Sequence, residues 1–353
     1  LKTAKQSFHI ENCSTGYRFL ERTHFNVKQN SVSNLATPEA SLFGALKKQK
    51  YHLIGNHSAV KRCKWLYESI VNGRVCYKQK FYGIQSHRFI QMTPSLYSCT
   101  QQCLFCWRAQ SGDMQVTWDE MKNPNSDTPE QIVEGCFKAQ EKIISGYKGN
   151  EKTDWRKFQE AQRPKHVAIS LTGEPTLYEK LGDLLGSFHS KGLTTFLVSN
   201  GNLPNKLSNL GQEPTQLYVS LCAPNEQVFK RVCRPQFKGA WINLNRTLEL
   251  LQSFNNPTVL RMTLVKEQNM NKIDDYAKLI EKANPTYIEA KAYMHIGFSN
   301  LRLGFNAMPS HSQVLEFAVE LSKKTSYKIL DQAPDSRVVL LSRLDKAIQI
   351  SAK

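Results

Sequence analysis

From residue 88 onward the chain alternates between short apolar runs and longer stretches with helical spacing. The apolar runs fall at 166–171, 194–198, 217–221, 258–265 and 287–292. Each is nearly continuous in apolar residues, the pattern of a strand buried on both faces. Between them the spacing predicts helices over 177–189, 225–232, 241–254, 273–283 and 312–323. A last strand pair is predicted near 327–331 and 337–342. Repeated strand–helix alternation implies a parallel sheet covered by helices, so the fold class is α/β, with six units forming an open or partly closed barrel. Functional groups in such sheets collect at the C-terminal strand ends, here 172–175, 199–201 and 220–223. Upstream, Thr37 reads as a helix cap and Pro38 as the first-turn residue of a helix over 38–50. Residues 1–37 have no long apolar period and predict an irregular lead-in. The segments 107–128 and 146–165 predict surface excursions.

The 353 residues are 40% hydrophobic, enough for a large core. No apolar run approaches the length of a membrane span, and nothing at the start has the pattern of a secretory signal. Nine cysteines in such a chain predict reduced thiols and a cytoplasmic protein. Net charge changes the picture more: at +17 it favours a polyanionic partner. Between Lys47 and Arg88 ten basic residues face a single acidic one, Glu68, and Tyr51, Trp65, Tyr67, Tyr77, Phe81 and Tyr82 are interleaved with them. Cations among aromatics suit phosphate contact plus stacking on unpaired bases, so this stretch predicts a nucleic-acid face.

The chemistry is concentrated in the run Cys99-Thr-Gln-Gln-Cys103-Leu-Phe-Cys106, spaced C-x3-C-x2-C. A four-iron cluster normally takes one cysteine per iron, so three cysteines leave one iron open for another ligand. Zinc is the alternative, although no second C-x2-C pair or H-x3–5-H follows closely. Cys136, Cys222 and Cys233 stand alone and predict packing residues.

With Phe105 before its last cysteine, and near the start of a strand–helix chain, the triplet resembles the radical S-adenosylmethionine superfamily. That resemblance implies a partial (βα)6 radical-SAM barrel with N-terminal and C-terminal extensions. It implies a [4Fe-4S] cluster on Cys99, Cys103 and Cys106, and S-adenosylmethionine chelating the open iron, with Phe105 near the adenine. Leu171-Thr172-Gly173-Glu174-Pro175 resembles the strand end that contacts the methionyl amine, with Thr172 in place of a first glycine. Ser199 and Asn200 correspond to the ribose contact, and Ser220 to a further strand-end contact.

A closer resemblance runs from about 38 to 343, leaving 344–353 as a tail. Gly55-Asn-His57-Ser-Ala-Val-Lys-Arg-Cys63, Cys76-Tyr-Lys78-Gln-Lys80-Phe-Tyr-Gly83-Ile-Gln-Ser-His87-Arg88, Cys106-Trp107-Arg108, Arg231-Val-Cys-Arg-Pro235 and Arg261-Met-Thr-Leu-Val-Lys266 are similar to the tRNA 4-demethylwyosine synthase family, in its stand-alone archaeal form. The resemblance implies condensation of 1-methylguanosine, beside the anticodon of phenylalanine tRNA (tRNA-Phe), with two carbons of pyruvate. It implies Lys78 as a Schiff-base lysine for pyruvate, an electron donor such as a flavodoxin or ferredoxin, and a monomer. The family also carries a second cluster on cysteines spaced C-x12-C-x12-C. Cys63 and Cys76 keep the first interval, but the third position is Phe89, which has no metal-binding atom. The expectation is an intact radical site and an impaired second site, with His87 or Cys13 as the candidate substitute ligands. The remaining alternatives are a variant of little activity and a non-catalytic, metal-containing RNA-binding protein.

Overall fold

The computed structural model describes residues 38–351. Helix α1 (Pro38–Lys48) leads into a hairpin of β1 (Tyr51–Ile54) and β2 (Ser58–Lys61). Two short helices follow, α2 (Lys64–Val71) and α3 (Tyr77–Tyr82), and then β3 (Phe89–Thr93). The remainder is α4 (Pro129–Ser145), α5 (Trp155–Ala161), β4 (His166–Ile169), α6 (Leu181–Ser190), β5 (Thr194–Ser199), α7 (Pro204–Ser208), β6 (Gln216–Ser220), α8 (Glu226–Val232), α9 (Ala240–Leu250), β7 (Thr258–Leu264), α10 (Ile273–Ala283), β8 (Tyr287–Ala292), α11 (His311–Lys324), β9 (Lys328–Ala333) and β10 (Val338–Ser342). Thr37 and Cys13 lie outside the described residues.

All ten strands join one sheet in the order β1-β2-β3-β4-β5-β6-β7-β8-β10-β9. The six central strands β3 to β8 are parallel and run in sequence order. Antiparallel strands extend the sheet at both edges. The predicted partial barrel of six parallel units is therefore present, and its extensions are themselves strands of the sheet. Successive side chains point to opposite faces of a strand. On the outer face Val167, Ile169, Leu197, Leu217, Val219, Leu260, Met262, Ile288 and Ala290 join the buried core with Leu184, Leu185, Phe188, Leu244, Leu248, Ile280 and Val314 of the covering helices. On the inner face Ala168, Phe196, Tyr218, Val259, Tyr287 and Leu340 pack with Tyr77, Phe81 and Tyr82 of α3.

Helix starts follow local chemistry. Thr128 with Gln131, and Ser310 with Gln313, form capping boxes that fix where α4 and α11 begin. The first of these helices, like the β1–β2 hairpin and α2 and α3, has no counterpart in the sequence prediction. Two expectations are corrected. The segment 107–128 is not a surface excursion, because Arg108, Gln110, Glu120 and Asp127 are buried and its backbone is tied to the cysteine loop. The stretch 146–165 contains α5, which buries Phe158 and Ala161.

Candidate functional site

The cysteine loop leaves the C-terminal end of β3 and lies over the mouth of the sheet. It is fastened by groups other than its thiols. Arg108 donates to the Gln101 carbonyl at 2.8 Å and pairs with the buried Glu120. Gln101 donates to Asn202 at 2.8 Å, and Cys99 N–H donates to the Glu120 carbonyl at 2.8 Å. Arg302 reaches in from the segment after β8, donating to the Leu104 carbonyl at 3.3 Å and to the Cys106 carbonyl, while its fork also engages Asp113. Burial works against the Arg108 charge, but Cys99, Cys106 and Glu120 around it hold the guanidinium firmly protonated.

Cys99 is buried, and Cys103 and Cys106 are half-buried. Burial pushes the Cys99 thiol up to about 12 and the Cys106 thiol up as well, with Arg108 opposing both. The three sulfurs do not yet meet at one point. The Cys103 thiol donates to Gln101 Oε1 at 3.2 Å, and the neighbouring Cys233 helps push its pKa well up. Cys233 is buried in the main core. The donor set itself fits a [4Fe-4S] cluster: three thiols from one loop, a fixed cation between two of them, and no fourth cysteine in that loop.

The predicted strand-end residues converge on this loop. Glu174 is fully buried, and its carboxylate accepts from Thr176 Oγ1 (2.7 Å), Ser199 Oγ (2.8 Å) and Asn200 N–H (2.7 Å). Burial raises its pKa against the pull of those donors. Asn200 Nδ2 lies 2.8 Å from Thr100 Oγ1 and 3.7 Å from Cys99 Sγ. Thr172 offers its carbonyl to Thr93 Oγ1 at 2.6 Å, and its own hydroxyl is housed 3.5 Å from the Leu96 carbonyl, where the family pattern has glycine. Gly173 sits at φ +70°, and a Cβ there would stand 1.7 Å from the Ser95 carbonyl oxygen, which no other residue tolerates. Pro175 opens the turn that carries Thr176. Phe105 packs half-buried against the main core, and Ser220 ends β6 beside Arg261.

Lys78 lies apart from these, on the inner face. Its Nζ is 3.6 Å from the centroid of the Tyr218 ring and 4.8 Å from that of Phe196, and it donates to the Tyr218 hydroxyl. Burial pulls this amine from its ordinary value down to about 7; Glu289 opposes the fall and Arg261 adds to it. Glu289 is the hub, accepting from Tyr82 (2.9 Å), Tyr77 (3.2 Å), Tyr218 (3.2 Å) and Arg261 (2.9 Å). Burial disfavours the Glu289 charge, but Arg261 and Lys78 hold the carboxyl below its usual range. None of Arg261, Glu289 or Lys291 was given a role by the sequence reading. A signal was available: each is a charged residue at alternate positions of an otherwise apolar strand.

Cys63 and Cys76 are the N-cap residues of α2 and α3, and neither thiol caps its helix with a hydrogen bond. Burial pushes the Cys76 thiol up to about 12, and Cys63 adds to the rise. No third donor joins them among the described residues. The Phe89 ring is buried against Phe196 at 5.4 Å and His166 at 5.8 Å. His87 holds Glu160 at 2.5 Å through Nε2, while its buried Nδ1 has no hydrogen-bond partner. These residues do not fit a second four-iron cluster.

The aromatic half of the 47–88 pattern is also corrected. Tyr51, Tyr77, Phe81 and Tyr82 are buried, so they belong to the core and not to a stacking surface. Lys47, Lys48, Lys50, Arg62, Lys64 and Lys80 remain exposed.

A parallel six-stranded sheet with three cysteines in its first mouth loop defines a radical S-adenosylmethionine protein, and the Radical SAM superfamily model matches residues 93–280. A second model, Wyosine base formation, matches 282–343. The chain belongs to the tRNA 4-demethylwyosine synthase family. It is 47% identical over 333 residues to the S-adenosyl-L-methionine-dependent tRNA 4-demethylwyosine synthase of Pyrococcus abyssi, covering 92% of this chain and 95% of that one. The Methanocaldococcus jannaschii enzyme of the same name is 41% identical, covering 87% and 97%. A solved structure of TYW1 with a lysine-pyruvate adduct bound has a TM-score of 0.78 and 40% identity, covering 88% of this chain and 97% of that one. Among the described residues no helix is long and apolar enough to cross a membrane.

Proposed function

We propose that this chain condenses 1-methylguanosine of tRNA-Phe with pyruvate to form 4-demethylwyosine. The observation that carries this reading is Lys78: a buried amine on the inner face of the sheet, pulled by burial down to about 7, so that a large share is uncharged at neutral pH. An uncharged amine adds to a keto carbon, whereas an ammonium has no lone pair to do so. The solved relative with a lysine-pyruvate adduct supports assigning that chemistry to Lys78.

Cys99, Cys103 and Cys106 would hold the cluster. Thr172, Gly173, Glu174, Pro175, Ser199, Asn200, Ser220 and Phe105 would hold S-adenosylmethionine. When bound, the two together supply a 5′-deoxyadenosyl radical. The chain's own residues orient and shield. Glu174 fixes Ser199 and Asn200 at the strand ends, and Arg108 balances thiolate charge. Tyr218 and Glu289 hold the Lys78 amine in place. All proposed groups come from one chain, which suits a monomer. Thiolate ligation needs a reducing compartment, which suits the cytoplasm and a flavodoxin or ferredoxin as electron source.

The test is anaerobic incubation of reconstituted protein with 1-methylguanosine-containing tRNA-Phe, pyruvate, S-adenosylmethionine and a reductant. Nucleoside mass spectrometry should show the tricyclic base; its absence with intact iron would sink the assignment. The exposed cations at 47–80 predict salt-dependent tRNA binding. Affinity measured by filter binding should fall about a hundredfold or more between 50 and 200 mM salt, through counterion release.

The residues favour one cluster over two. Reconstituted protein should carry about four irons per chain, the content of a single [4Fe-4S] group. In Phe89→Cys the count should rise toward about eight. That variant should also lose about 2–4 kcal/mol in denaturant titrations before iron is added, because a buried ring is removed.

A further inference from the structure

Lys291 is a half-buried cation that the reading above leaves without a task. It lies on β8 two residues after Glu289, so both side chains share the inner face. Its Nζ donates to the Ser336 carbonyl at 2.6 Å and lies 5.4 Å from the centroid of the Tyr77 ring. The Lys78 amine lies 5.8 Å from the centroid of the same ring. Both amines feel the same three neighbours: Glu289, Arg261 and Cys76.

Charge in this pocket does not balance. Glu289 is the one carboxylate at its centre, and it is taken up by the Arg261 fork, whose Nε and Nη2 sit 3.1 and 2.9 Å away, and by three tyrosine hydroxyls. Among the described residues Lys291 has no carboxylate within ion-pair distance. The Ser336 hydroxyl beside it is buried and has no hydrogen-bond partner. Burial pulls the Lys291 amine below its ordinary value, to about 8. A half-buried ammonium held by one carbonyl, beside an unpartnered hydroxyl and with no carboxylate in reach, has room for an anion.

We propose that Lys291 is the carboxylate anchor of a 2-oxo acid site, pairing with the carboxylate of pyruvate while Lys78 takes its keto carbon. This rests on the assignment of pyruvate to Lys78. The covalent step balances without a further reactant: the amine nitrogen bonds to the keto carbon, the carbonyl oxygen leaves as water, and an imine remains. Lys291 forms no covalent bond. It selects keto compounds that carry an adjacent carboxylate and orients them toward Lys78.

The experiment traps the imine with cyanoborohydride, using either pyruvate or its neutral analogue methyl pyruvate, on the iron-reconstituted full chain kept anaerobic. Peptide mass mapping reads the adduct at Lys78. Lys291→Met and Lys291→Gln should each need about tenfold or more pyruvate for half-maximal trapping, the loss of one charge-assisted contact. Their methyl pyruvate requirement should move far less, which also shows that the pocket is still formed. An unchanged pyruvate requirement overturns the anchor, and so does an equal loss with both probes, the mark of a structural role. No adduct on the parent protein with either probe would remove the imine itself, and the anchor with it, a result distinct from both.

Discussion

Lys78→Met is expected to lose pyruvate incorporation by at least about a thousandfold, the scale of removing a covalent nucleophile, while the protein stays folded. The fold survives because the amine is already housed among Tyr218 and Phe196 rings, a setting in which a thioether is at home. Removing a buried charge costs the folded state nothing in desolvation and spares what the lysine had lost. The loss of function comes from chemistry alone. An amine titrating at about 7 is roughly half uncharged at neutral pH, whereas an unperturbed lysine is uncharged about once in a few thousand molecules. Lys78→Arg should fail equally, since a guanidinium stays protonated. Nucleoside mass spectrometry measures the loss, and a thermal melt measures the fold. Retained product in Lys78→Met would move the pyruvate chemistry to another residue.

Cys103→Ala is expected to abolish iron binding at the loop and all product formation with it. Two thiols then remain for a group that needs three from this loop. The variant is informative because the loop is not held by its sulfurs. Arg108 with Glu120, Gln101 with Asn202, and Arg302 with the Leu104 carbonyl fix its backbone through amide and carboxylate groups. The substitution removes the thiol's hydrogen bond to Gln101 Oε1, worth about 1 kcal/mol or less. The melting temperature of the iron-free protein should therefore move by only a few degrees. Iron content and the visible absorbance of the reconstituted protein should fall to background. A variant that kept its iron would show that the loop cysteines are not the ligands.

The parallel half of the fold was readable because buried parallel strands announce themselves as apolar runs, as at 167–169 and 217–219. Strand ends carrying Gly173, Glu174 and Asn200 could be placed for the same reason. The hairpin and α3 were not readable, since Tyr77, Phe81 and Tyr82 sit among lysines and read as a basic surface. Their burial depends on β8, which lies some two hundred residues further along the chain. Arg108 and Glu120 were missed for a related reason. A salt bridge between distant polar residues has no period, and only the folded loop reveals that both are buried. Glu289, Arg261 and Lys291 were missed although they interrupt apolar strands, because a charge inside such a run is easily taken for an edge.

Residues 348–350 bear on when the lysine pocket comes into being. Gln349 Nε2 donates to the Phe81 carbonyl, a contact 268 positions apart in the chain, and Ile350 N–H donates to the Tyr82 carbonyl at 2.8 Å. Ile348 N–H meets the Tyr287 hydroxyl at 2.7 Å. The helix bearing Lys78 is made early in synthesis, yet its seat consists of β5, β6, β8 and these last residues. Local contacts form first and distant ones must wait for the chain that supplies them. A ribosome must therefore release the chain through residue 350 before the reactive amine is enclosed, so shorter nascent chains carry an ordinary surface lysine and no pocket.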